Sequence, residues 1–415
     1  MKKIVLSTIA ALAVSATSLS ASQQFYVDDK GQVFTTSGPD RIAIENKESP
    51  VFSKTARLEF SGTHYFGLTS VQPDLTGPSV DNSTGFELRR NYLQVKAYFN
   101  EKDFFRVTMD TTKEIGSSTS YADIYAKYAY LYLDNILPYT GVEIGIAHRP
   151  WIDYEEHNSW HYRSINKVAI EQKTNTTDSG PDLVNSADLG FNLKTKTENF
   201  SSEIGMFNGE GYHADKAAAN QENSTDLSLE WRLTGHLMGS GNKLGKNDRT
   251  KATYLNVSTY GLMSKNHKDA DVLVDGPAEY DRSMYGLHAV YNQPLFLIAA
   301  QYYIANDDAQ NTTLGDSKDY TGYSINAEIR PMTDWTIIGR YDVSDIDKIA
   351  KATAIETKDQ EMKQMLLGVA YKYNKNVSFI ASGKHITDDA KTWTALTLAD
   401  AKEKNVYMLT TEVKW

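Results

Sequence analysis

From Lys54 to Trp415 one pattern keeps returning: a run in which apolar and polar side chains alternate, then a turn, then another such run. Side chains on a strand point to opposite faces in turn, so alternation of period two reads as strand with one greasy and one polar face. Sixteen candidate strands follow, at 54–67, 86–99, 103–112, 123–133, 140–149, 186–195, 200–208, 225–236, 251–260, 283–292, 294–304, 320–330, 334–343, 363–373, 376–386 and 404–415. In the last, Tyr407, Leu409, Thr411, Val413 and Trp415 oppose Met408, Thr410, Glu412 and Lys414.

The connections sort as clearly as the strands. Short turns (100–103, 134–139, 196–199, 292–294, 331–334, 374–376) alternate with long polar loops, the longest running from Pro150 to Asn185. The stretch Leu237 to Asp248 is long where a short turn is due. A soluble β-sandwich has the same two-faced strands but no reason to segregate its loops by length. An outer-membrane barrel does, with tight periplasmic turns, long extracellular loops, and closure that leaves no open edge in lipid. The expected fold is therefore all-β, a sixteen-stranded antiparallel transmembrane β-barrel.

The N-terminus carries Lys2-Lys3, an apolar run from Ile4 to Val14 and small residues to Ser22, which reads as a secretory signal peptide over 1–21. Residues 22–53 read as a separate periplasmic segment with a small hairpin turning at Asp28 to Gly31, and 54–415 as the barrel. The chain has no cysteine, so an exported protein of 415 residues relies on backbone pairing and burial rather than disulfides. A net charge of −10 with dispersed acids argues against nucleic acid as partner. Neither a Gly-x-Ser-x-Gly elbow nor a Walker loop is present, and no enzymatic activity is expected.

Three stretches carry a resemblance. "LRRNYLQVKAYFNEKDFFRVTMD" (88–110), "VEIGIAHRPW" (142–151) and "SEIGMFNGEG" (202–211) resemble porins of the O/P family, in order along the chain. The resemblance implies a sixteen-stranded barrel, commonly a homotrimer, passing anions such as phosphate or polyphosphate. At Ile146, Ala147 and His148 this chain departs from the family's usual glutamine, aromatic and lysine, a departure that the barrel survives and that counts against a phosphate preference. The C-terminal aromatic, Trp415, is similar to the signal that outer-membrane assembly reads.

With the greasy face in outer-membrane lipid, the opposite face lines a lumen, and charge there sets selectivity. Arginine suits oxyanions through paired hydrogen bonds, so Arg90, Arg106, Arg149, Arg232, Arg330 and Arg340, with Lys96, are the selectivity candidates. Trp151, Asp153, Glu155, Glu156, Trp160 and Arg163 mark the longest loop as the constriction candidate. His157 and His161 lie near Glu155 and Glu156 but lack a His-Glu-x-x-His arrangement, so neither metal nor other cofactor is expected. Regular alternation sends Arg90 inward and the adjacent Arg89 outward to the rim or a neighbouring subunit. The function expected is passive diffusion of small hydrophilic solutes, with an anion bias from the arginines. The alternative is a surface adhesin or binding protein using the loops at 150–185, 261–282 and 344–362.

Overall fold

The computed structural model describes residues 26–28, 32–43, 57–74, 82–111, 124–209, 211–212, 226–239, 249–268, 279–309, 317–349, 356–389 and 403–415. The expected leader at 1–21 lies outside them. The chain divides into two units, Met1–Ala56 and Arg57–Trp415. In the first, β1 (Tyr26–Asp28), β2 (Val33–Phe34) and β3 (Arg41–Ala43) form a sheet in the order β2-β1-β3. Tyr26 pairs with Phe34 and Val27 with Val33, which is the hairpin expected from its Asp-Lys-Gly turn. The Arg41 guanidinium lies 3.5 Å from the centre of the Phe34 ring.

The second unit is a closed antiparallel barrel of sixteen strands. They are β4 (Arg57–Asp74), β5 (Ser83–Tyr98), β6 (Phe104–Asp110), β7 (Tyr125–Leu137), β8 (Thr140–His148), β9 (Ala187–Lys196), β10 (Phe200–Phe207) and β11 (Ser228–Met238). Then follow β12 (Tyr254–Lys268), β13 (Glu279–Gln293), β14 (Phe296–Ala309), β15 (Ser317–Met332), β16 (Trp335–Ile349), β17 (Glu356–Lys372), β18 (Val377–Asp388) and β19 (Glu403–Lys414). Each strand pairs with its sequence neighbour, and β19 closes on β4. Gly62 and Trp415 exchange backbone hydrogen bonds of 2.9 and 3.1 Å at the seam. A Cβ on Gly62 would lie 2.5 Å from the Trp415 indole, so the terminal ring needs a glycine beneath it.

Each of the sixteen expected strands is present. The short turns are built locally: Asn100 Oδ1 accepts from the backbone N–H of Lys102 and Asp103, and Asn374 Oδ1 does the same for Asn376 and Val377. Facing follows the expected parity on most strands. On β5 and β6, Leu93 opposes Met109 on the outside and Lys96 opposes Arg106 on the inside. Phe60, Phe86, Leu229, Ile325, Leu367 and Leu409 are among the apolar side chains exposed around the outer wall. A closed ladder with an apolar exterior is what hydrocarbon demands of a β protein, since backbone groups then pair strand to strand within the wall.

Candidate functional site

The connection from β8 to β9 does not lie over the barrel mouth; it enters the interior. Arg149-Pro150-Trp151 leads into helix α1 (Ile152–Asn158), whose first turn carries Asp153 and Glu155 and whose last carries His157, each sign where the helix dipole favours it. A 3-10 turn follows at Ala169–Glu171, then a narrow hairpin bridged at Lys173 and Pro181. Gly180 allows that hairpin to close, because a Cβ there would sit 2.5 Å from the Gln172 side chain.

Wall side chains hold this plug from many directions. Tyr254 donates to the Asn158 carbonyl (2.7 Å), Asn326 to the Ser159 carbonyl (3.0 Å), and Arg340 to the Lys167 carbonyl (2.7 Å). Gln172 donates to Asp342 (3.0 Å), and Lys384 pairs with Asp178. Trp151 stacks on Tyr260 with ring centres 3.8 Å apart. Trp160, Ile165, Val168 and Ile170 are buried to 1% exposure or less. Burial of each such apolar side chain contributes roughly 1.5 to 3 kcal/mol, so the plug is a packed internal element rather than a loosely lying loop. It is also withdrawn from the cell surface, which removes 150–185 as an adhesive loop. Much of the other two proposed adhesive spans is strand, in β12, β13, β16 and β17.

The inner wall has two arcs of different chemistry. From β12 round to β19, Tyr260, Leu262, Met284, Tyr303, Ile338, Leu366, Ile380 and Val406 join the plug's Trp160, Ile165 and Ile170 in one apolar cluster. No residue of β5 to β11 belongs to that cluster. Those strands instead turn charged and aromatic side chains inward. Arg90 pairs with Asp110 (2.8 Å), Arg232 with Glu203 (3.1 Å), and Arg149 makes a paired contact with Glu230. Arg106 donates to the Tyr130 hydroxyl (3.2 Å), and Lys96 lies 4.9 Å from the Phe104 ring. The inner face from β12 to β19 is therefore mixed rather than polar throughout, for buried Gln301, Asn326, Glu328, Asp342 and Lys384 stand among its apolar side chains. There the wall faces the plug, not water.

Two β-bulges sharpen the polar arc. On β5, Tyr65 pairs with Arg90 and Phe66 with Leu88, leaving Arg89 as an extra residue. On β7, Thr108 pairs with Tyr128 and Met109 with Ala126, leaving Lys127 extra. A bulge re-aims a side chain that regular alternation would send the other way. Arg89 accordingly points inward: it donates to the Ser164 carbonyl (2.9 Å) and the Thr177 hydroxyl (3.1 Å) of the plug and pairs with Glu87 (3.0 Å). The outward placement expected of Arg89 is overturned, and both members of the Arg pair face the interior. Lys127 is fully buried, bonds the Ser186 hydroxyl and lies 3.4 Å from the Tyr212 ring. One sequence signal for the first bulge exists: the apolar positions of β5 switch from even (Phe86, Leu88) to odd (Leu93, Val95) across it.

A cavity of about 60 Å³, room for about two waters, lies between this bulge and the plug. Its lining includes four cations, Arg89, Arg90, Arg163 and Lys167, against two carboxylates, Glu87 and Asp178. Behind it Arg163 bonds Glu156 and both oxygens of Glu171. Burial alone would raise the Glu171 carboxyl, but Arg163 and Lys167 hold it well below the usual carboxylate range. Burial lowers the Lys167 ammonium. The remaining candidates Arg330 and Arg340 are spoken for on the apolar arc: Arg330 contacts Glu328 (3.5 Å), and Arg340 bonds Asp342 (2.8 Å) and sits 4.5 Å from the Trp160 ring. Sequence reasoning missed Arg89, Lys127, Lys167 and Arg249. The last comes from the anomalously long β11–β12 connection and reaches both Glu328 (3.2 Å) and the plug's Tyr162 hydroxyl (3.0 Å).

At the other end of α1, Asp153 faces His148 (3.6 Å), His157 (3.4 Å) and Lys194 (4.0 Å). Against the upward push of burial, these basic neighbours hold its carboxyl well below the ordinary range, and Asp153 in turn raises His157. Glu155 differs: burial pushes its carboxyl up to about 8. Among the described residues no cluster of three His, Asp or Glu is disposed to hold a metal ion.

No protein-family profile and no curated protein matches this chain. Solved structures do. The chain is similar to the anion-selective porin from Comamonas acidovorans, with a TM-score of 0.60 at 12% identity over 86% of this chain and 99% of that one. It is also similar to the in-vitro folded trimer form of OmpT, an outer membrane protein of Vibrio cholerae (TM-score 0.53, 13% identity, 86% and 99% covered). A third is the outer membrane channel DcaP of Acinetobacter baumannii (TM-score 0.52, 8% identity, 88% and 98% covered). At such identities the likeness is one of fold, and the fold is that of an outer-membrane porin-type barrel.

Proposed function

We propose that the protein is an outer-membrane diffusion channel of the porin type, whose passage runs between the plug and the polar arc rather than through an open bore. The observation that carries this reading is the division of the interior: the plug is packed on β12 to β19, while inward side chains of β4 to β6 and β9, such as Ser61, Gln94, Arg106 and Lys194, keep partial exposure. A structural or adhesive barrel has no need of a half-open charged wall. Small hydrophilic solutes are the cargo this passage suits.

A preference for anions is supported by the four cations at the bulge cavity and by the inward turn of Arg89 and Lys127. The printed description of the Comamonas porin as anion-selective and the likeness of 88–110 to O/P porins support the same reading. A trimeric assembly is the expectation from that likeness and from the trimer form of the Vibrio protein. A periplasmic location for residues 22–53 is proposed from the sequence reading alone. Planar-bilayer recordings of the purified protein are the test. Discrete conductance steps with an anion-to-cation permeability ratio above one are expected; absence of steps removes the channel reading, and a ratio below one removes the anion preference alone.

A further inference from the structure

Glu155 stands apart from the other acids of the plug, the exposed Asp182 excepted. Asp153, Glu156, Glu171 and Asp178 each face a cation, whereas no ion pair to Glu155 occurs among the described residues. Its side chain is 1% exposed. One carboxyl oxygen accepts from Trp151 Nε1 (2.8 Å) at the N-cap of its own helix, the other from Gln301 Nε2 (2.7 Å) on β14. Gln301 is in turn held by the Tyr260 hydroxyl of β12 (2.8 Å), on whose ring Trp151 stacks. His288 of β13 abuts the Trp151 ring at 5.0 Å. Arg340 on β16 acts only from a distance, its guanidinium being bonded to Asp342, and both Asp342 and Glu156 oppose a charge on Glu155. A carboxyl placed at the seam between helix and apolar wall, with one indole and one amide N–H as neutral donors and no counter-ion, is tolerable neutral and costly ionised.

We propose that Glu155 is a proton-operated latch: while protonated it lets α1 seat against the apolar arc, and its ionisation in alkaline medium loosens that end of the plug and widens the passage. The widening rests on the channel reading above; the loosening does not. The sign follows from the environment. A carboxyl raised in the seated state stabilises that state fully below its ordinary value near 4.5, and the contribution is lost as pH rises to about 8. The neighbouring Asp153–His157 contact, reached by His148 and Lys194 from the wall, weakens in the same direction as His157 deprotonates.

The absence of native cysteine permits a direct test. In full-length protein carrying Ser159→Cys, a buried site at the end of α1, labelling by a water-soluble maleimide is followed from pH 6 to pH 9, alone and combined with Glu155→Gln. The ratio of the two rates cancels the thiol's own titration. It is expected to rise roughly 10- to 100-fold across that range, the span set by a carboxyl moving between its buried and exposed values. Gln301→Lys, which supplies the missing cation, is expected to abolish the rise while leaving Glu155 in place. A flat ratio, or a rise that survives Gln301→Lys, overturns the latch. Conductance recorded on the same proteins separates the two readings: a rising labelling ratio without channel steps retains the latch and removes the channel.

Discussion

The arc from β5 to β11 and the arc from β12 to β19 are parts of one closed sheet, with the same exterior and the same hydrogen-bond ladder, and they differ in how their inner faces meet the plug. The second packs apolar side chains such as Ile338, Leu366, Ile380 and Val406 against it; the first carries Arg106, Glu143, Lys194 and Arg232 and reaches the plug through polar contacts such as Arg89 to Thr177 and Lys194 to Asp153. Inward is thus not synonymous with wet in a barrel of this kind. The chemistry of each face reports its contacts, and here the contacts change halfway round.

The largest test of that contrast is Trp160→Ala. Removing a fully buried indole from the plug–wall cluster costs about 3 to 5 kcal/mol of docking, and protease cleavage within 150–185 and a several-fold larger conductance are expected. Unchanged cleavage would mean the apolar arc is not the plug's seat. Arg163→Met should follow at about 3 kcal/mol, because it strands Glu156 and leaves Glu171 with the lesser pull of Lys167. Adding Glu171→Gln is expected to recover part of the loss, which limited proteolysis can read.

On the polar arc, Arg89→Gln is expected to leave the barrel intact, judged by heat-modifiable mobility on gels. It should lower the anion-to-cation permeability ratio roughly twofold to fivefold, while Arg330→Gln on the other arc changes it less. Equal effects would erase the distinction between the arcs. His157→Asn is the smallest change. Because Asp153 raises His157, the protonated contact is fully present below about 6.5 and fades as pH rises past that value. The difference in plug accessibility between variant and parent should therefore appear at pH 6 and vanish by pH 9, with no effect on the Glu155 response.

Strand positions were legible because the exterior must be apolar and the residues between must point elsewhere; that one constraint located all sixteen. Strand ends were less so. β12 runs on to Lys268 and β17 begins at Glu356, where both faces are polar and alternation gives no sign of pairing. The apolar arc was hidden for the opposite reason. Where Ile337 and Ile338, or Leu366 and Leu367, stand side by side, both faces are apolar and no contrast remains to read. Arg90, Arg106 and Arg232 were assigned inward by parity and do face inward, but their bonds to Asp110, Tyr130 and Glu203 come from other strands. Which charged partners Asp153 and Arg163 would meet depended on a loop's path through the barrel, which no local pattern encodes.

Arg89 and Lys127 each enter as a supernumerary residue, so neither displaces a lipid-facing or lumen-facing neighbour from its column. A lineage of such barrels can therefore change its internal charge by inserting or deleting one codon within a strand, leaving every existing side chain on its original face. Substitution explores chemistry one position at a time; the bulge lets length variation do so as well, inside elements usually thought closed to it.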